Sequence, residues 1–130
     1  MPHSNEDLLR QAFGAFSTGD VDAFAALLTD DVVFHFPGRG PMAGDHHGKH
    51  EVLATLGKQA ELTAGTFRVE LHDLLANDEH GVSLVMAKAE RAGRAWQDNG
   101  VLVFHFRDGK LSEFWLHPGD LYAADEFFTS

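Results

Sequence analysis

Five residues, Val32-Val33-Phe34-His35-Phe36, followed at once by Pro37-Gly38, constrain this chain more than any other stretch. β-Branched and aromatic side chains suit a pleated, packed surface, so the five read as a strand. The strand must end at Pro37-Gly38, because proline cannot donate to a ladder and glycine permits a turn. From Asp31 to Gly48 the stretch carries three of the nine histidines, and Pro41 and Gly44 keep its second half irregular. A strand, an irregular loop and a helix start in that order are expected to form the mouth of a pocket.

At 130 residues the chain is expected to form one domain, spanning 1–130, with a proper hydrophobic core. Eleven phenylalanines against one tyrosine make that core strongly apolar. A net charge of −10 opposes binding to nucleic acid or to an anionic membrane. Without cysteine there is neither a disulfide framework nor thiolate chemistry. MPHSNEDLLRQ has no basic region followed by an apolar run, and no apolar stretch approaches ~20 residues, so a cytoplasmic protein is expected.

Ser4 is expected to cap a first helix, whose face carries Leu8, Leu9, Ala12, Phe13 and Phe16. Gly19 stops it, and Asp20 caps a second helix packed through Phe24, Leu27 and Leu28. A third runs from about Gly48 to Leu62 with Val52, Leu53, Leu56 and Ala60 buried. Strands follow at Thr66–Ala76, Gly81–Arg91, Trp96–Phe106 and Leu111–His117. The Asp108-Gly109 pair is a strong hairpin signal. A tail from Asp120 to Phe128 is expected to pack through Leu121, Tyr122 and Phe127. Three helices and then an antiparallel meander argue for an α+β domain with the helices on one sheet face.

Thr18-Gly19-Asp20 and Leu27-Leu28-Thr29-Asp30-Asp31-Val32-Val33-Phe34 are similar to the opening of nuclear transport factor 2-like domains. FHFPGRGPMAGDHHGKHEV resembles a P-G-x-x-P-x-A-G-x-x-x-G element of their SnoaL-like branch, named for a polyketide cyclase. VLVFHFRDGKLSEFWLH resembles that branch's closing hairpin, and GDLYAADEFF is similar to the tail of bacterial members. The resemblance implies a cone-shaped half-barrel, a curved antiparallel sheet wrapped round three N-terminal helices. It also implies an internal pocket and a dimer across the sheet's outer face.

The same resemblance locates the family's chemistry, and this chain lacks it. Ketosteroid isomerases place a carboxylate base, an oxyanion-hole aspartate and its tyrosine partner at positions that fall here on Phe36, Leu102 and Ala12. Enolisation needs both a base and an oxyanion donor, so that mechanism is not expected. The acid/base aspartate of the polyketide cyclases falls on Leu116, and their histidine on Leu102. The aspartate-arginine-aspartate network of limonene-epoxide hydrolases has no counterpart. No cofactor is expected.

Period-two alternation puts Phe34, Phe36, Leu102, Phe104, Phe114 and Leu116 on one strand face. With Phe13, Phe16, Met42, Leu56, Met86 and Trp96, they are expected either to line an apolar pocket for a small hydrophobic molecule or to pack solidly against the helices. Asp98 shares the parity and is the catalytic candidate on that face; the other reading is a solvated strand edge. Val33, His35, Val101, Val103, His105, Trp115 and His117 have the other parity, too apolar for a monomer's surface, so a homodimer is expected through them. His35, bordering the loop, is a second catalytic candidate. His46, His47 and His50 have a spacing compatible with a metal and equally with a solvated helix start. Two functions therefore stand side by side: an enzyme with non-standard acid/base residues, or a ligand-binding or accessory domain.

Overall fold

His3, not Ser4, caps the first helix. The structure, a computed structural model, describes residues 3–129; residues 1, 2 and 130 of the expected domain span lie outside the described residues. Helix α1 (Ser4–Thr18) begins with a capping box, the His3 side chain accepting from the Asn5 amide while Glu6 accepts from the His3 amide. An imidazole nitrogen thus does what the serine hydroxyl was expected to do. Gly19, at φ 72°, ends α1, and Asp20 caps α2 (Val21–Ala26) by accepting from the Ala23 amide. Leu28 belongs not to that helix but to strand β1 (Leu28–Phe36).

The stretch after β1 holds a short strand where only irregular loop was expected. Gly44–His47 forms β2, antiparallel to β1, with His35 opposite Asp45 and Phe34 opposite His46. No alternation of apolar residues announces so short a polar strand; its pairing with β1 creates it. Helix α3 (Lys49–Leu62) buries Val52, Thr55 and Gln59, whereas Ala60 is exposed. Strands β3 (Arg68–Ala76), β4 (His80–Arg91), β5 (Arg94–Arg107) and β6 (Lys110–Pro118) follow, and the tail is a fourth helix, α4 (Leu121–Thr129).

The six strands lie in the order β2-β1-β6-β5-β4-β3. All neighbours are antiparallel except the chain's first and last strands, β1 and β6, which meet at mid-sheet and run parallel. Ala92-Gly93 and Asp108-Gly109 all take positive φ, the pattern of two-residue hairpin turns that match strand twist. The result is the curved, open α+β cone, with one face packed on α1, α2 and α3 and the far end covered by α4. Leu9, Leu28, Val32, Val52 and Leu111 are almost fully buried between helices and sheet. Phe127 and Phe128 of α4 are buried against Trp96, but Tyr122 is 87% exposed and does not join the packing expected of it. Among the described residues no helix is long and apolar enough to cross a membrane.

Candidate functional site

The sheet's concave face and the helices do not close completely. They leave a cavity of about 130 Å³. For scale, an apolar cavity of about 150 Å³ stays dry and takes up a benzene-sized molecule. Its wall is built by strand alternation: Phe34 and Phe36 from β1, Trp96, Asp98, Leu102 and Phe104 from β5, Phe114 and Leu116 from β6. Ala12, Phe13 and Phe16 close it from α1, Leu56 from α3, and Met42 from the loop before β2.

Aromatic rings set the cavity's shape. Phe34 stacks on Phe114 at 4.3 Å, Phe114 on Phe104 at 5.7 Å, and Phe13 meets Phe104 edge-on at 6.3 Å. At the other end Trp96 stacks with Phe127 at 5.5 Å and Phe67 at 6.4 Å. Offset-stacked and edge-on pairs at these separations are the arrangements that aromatic rings prefer.

Of the expected ligand-facing residues, only Met86 is misplaced. It has the parity of Lys88, opposite to that of Val85 and Ala87, which do line the cavity, so its side chain leaves the sheet on the outer face. Other wall residues went unread. Phe67 precedes a strand, Gln59 sits on a helix face taken to be apolar, and Asp125 and Phe128 come from the tail. Only the Phe127-Phe128 pair carries a sequence signal, an apolar doublet that begins nine residues past Pro118.

The two cavity carboxylates are both engaged with backbone. Asp98 Oδ2 accepts from the amides of Gly119 and Asp120, at 3.0 and 3.3 Å, and so ties β5 to the turn before α4. Asp125 Oδ2 accepts from the Arg39 amide at 3.1 Å and latches α4 to the loop after β1. Gly38 is needed there: at φ 89° a Cβ would lie 2.2 Å from Asp125 Oδ1.

His35 is not in this cavity. It projects from the outer face, Nδ1 at 2.6 Å from Asp45 and Nε2 at 2.6 Å from Glu113, with its ring stacked on Trp115 at 4.8 Å. Ionised carboxylates only accept, so both ring nitrogens must carry hydrogen for both bonds to form. Burial pulls the His35 pKa down, but the hydrogen bonds it makes to Glu113 and Asp45, together with the negative charges of those two carboxylates, outweigh it and hold the pKa above the ordinary imidazole value. His105 extends the cluster, its Nδ1 at 3.5 Å from Glu113 and its ring edge-on to Trp115.

The three candidate metal ligands do not converge. His46 Nε2 bonds the Met42 carbonyl at 2.7 Å, while His47 and His50 are exposed on β2 and α3. Among the described residues no group of three or more His, Asp or Glu side chains is placed to hold an ion.

A family model for the SnoaL-like domain matches residues 9–114. An uncharacterized protein of Mycobacterium tuberculosis is 33% identical over 126 residues, covering 94% of this chain and 93% of that protein. Among solved structures, Bal32a from a soil-derived mobile gene cassette superposes with a TM-score of 0.93 at 32% identity, over 96% of each chain. A nuclear transport factor 2-like protein from Burkholderia xenovorans does so at 0.83 and 21% identity, over 99% of this chain and 98% of its own.

Proposed function

This chain belongs to the SnoaL-like domain family within the nuclear transport factor 2-like superfamily, and from that premise we propose that it binds a small hydrophobic or aromatic molecule in the cone's internal cavity. The observation that carries this reading is the cavity's wall: an aromatic and aliphatic surface whose two carboxylates are already occupied by backbone amides. Such a site holds its ligand by removing apolar area from water, at ~25 cal/mol per Å², and disfavours charge in its depth. A neutral naphthylamine fluorophore should therefore bind the wild-type protein with saturable blue-shifted emission. Leu102→Trp, which puts an indole into the cavity, should abolish the signal without lowering the melting temperature. Absence of binding to the wild type overturns the reading.

Catalysis is the second reading, and one observation favours it: Asp98 is a carboxylate on the wall of an apolar cavity. The backbone bonds to its Oδ2 favour a structural part instead. With Phe36, Leu102 and Ala12 where the isomerases carry their polar groups, a β,γ-unsaturated steroid ketone should not be isomerised above the buffer rate.

We also propose that a second copy of the chain covers the sheet's outer face. Support comes from the half-buried Val101, Val103 and Trp115 there, beside the exposed Leu84.

A further inference from the structure

Volume limits what the inner cavity can hold. At about 130 Å³ it is somewhat smaller than the apolar cavity of about 150 Å³ that takes up benzene, so a single ring already fills it. A substituted ring must send its substituent elsewhere. A second cavity, of about 430 Å³, lies between the end of α1, α2, α3 and the start of β3. The two share a wall: Phe16, Phe24, Leu56, Gln59, Phe67 and Val69 line both, and all but Gln59 are apolar. Phe16 meets two of the others edge-on, Phe24 at 6.1 Å and Phe67 at 6.3 Å, and is itself only half-buried. It borders both cavities, so a change of its rotamer opens the wall with no movement of backbone.

The local sequence explains why the second cavity stays open. On α3, Leu53, Gly57 and Ala60 are spaced four and three apart, so they lie on one helix face, and all three line this cavity. Glycine and alanine leave the gap between α3 and the α1–α2 corner unfilled. None of the three lines the inner cavity. Asp20, on the same wall, is turned to the Ala23 amide as the cap of α2, and the chain's net charge of −10 gives an anion no general attraction. What the second cavity offers a ligand is mainly apolar surface, from Ala15, Phe16, Leu53 and Leu56.

We propose that the two cavities form one site for an uncharged aromatic molecule bearing a flexible, unbranched apolar chain. The ring lies in the inner cavity, whose phenylalanines offer stacked and edge-on contacts, and the chain passes Phe16 into the outer one. The inference rests on the inner cavity binding apolar molecules and adds the class of molecule it takes.

The test measures ethylbenzene and hexylbenzene binding by titration calorimetry and takes the ratio of the two affinities within each protein. In the wild type hexylbenzene should bind on the order of a hundredfold more tightly, because each further methylene leaves water on entering the outer cavity. Gly57→Phe fills that cavity and should bring the ratio to within about threefold of unity. Gly57 is exposed in mid-helix, and a Cβ built on it meets no atom within 4 Å, so the helix should accept the ring. Ala60→Phe, one turn further along the same face, is a second block should Gly57→Phe fail to fold. Equal wild-type affinities, or a preference for hexylbenzene that survives the block, overturn the two-cavity site and leave inner-cavity binding standing. A wild type that takes up no ethylbenzene overturns both.

Discussion

Phe114 and Trp115 are neighbours in sequence and live in different chemical worlds. Phe114 is 4% exposed on the concave face, stacked between Phe34 and Phe104, in surroundings with almost nothing to titrate. Trp115 lies on the convex face against His35 and His105, beside Glu113, which bridges the two imidazoles. One face of the sheet is specified by volume and shape, the other by charge and hydrogen bonds. Apolar packing is non-directional and tolerates a void, so the concave face can keep a cavity. Paired imidazoles and carboxylates need set distances, so the convex face can hold β1, β2 and β6 in register.

The largest effect should come from breaking the concave face. Phe114→Ala removes a ring with two stacked partners and should cost about 3–5 kcal/mol in chemical denaturation. A loss under about 1 kcal/mol would mean that the cavity already relieves the packing there, and the contrast between the faces would weaken.

Next comes the convex face. Trp115→Glu should dissociate the proposed dimer, at a cost of about 2–4 kcal/mol in association if the indole is a central anchor. Light scattering at micromolar concentration should show the wild type as a dimer and the variant as a monomer. A monomeric wild type would remove the need for any partner on that face.

Gly38→Ala sharpens the comparison where the two faces meet the cavity's mouth. The new Cβ collides with Asp125, and alanine is strained at φ 89°, so a loss of about 1–2 kcal/mol is expected. The fluorophore should also enter and leave faster, because the latch between α4 and the loop is disturbed. Unchanged stopped-flow rates would show that this is not the door.

The smallest effect is a pH dependence confined to the convex face. The folded pKa of His35 lies above its ordinary value of 6.5, so the stabilisation is complete below that value and is lost as pH rises through the folded pKa. His35→Gln should therefore be less stable than the wild type near about pH 6, and the gap should shrink toward about pH 9. A gap that is constant or widens with pH would mean that the imidazole is not held as its cation.

Much of this was readable from local pattern. Phe34 and Phe36, Leu102 and Phe104, and Phe114 and Leu116 are each two apart along a strand, and the strand's two-residue repeat alone sends each pair to one face. Asp108-Gly109 specified its turn because few residues accept positive φ. The cap by Asp20 and the stop at Gly19 were equally local. What escaped had no local signature. β2 exists because β1 offers a free edge, and Gly44-Asp45-His46-His47 has no strand propensity to betray it. Met86 was assigned inward without a register, and only pairing with β5, Met86 opposite Asn99, decides its face.

What the sequence by itself determined, then, is which side chains share a face and where each element turns, since both follow from backbone geometry over a few residues. Tertiary structure alone decided what those faces meet. His35 reaches Glu113 across 78 positions, and Asp125 reaches the Arg39 amide across 86. The void has the same origin: its volume is the small remainder when rings from three strands and three helices pack at fixed distances. No single segment carries that remainder, because it depends on how all of them come together.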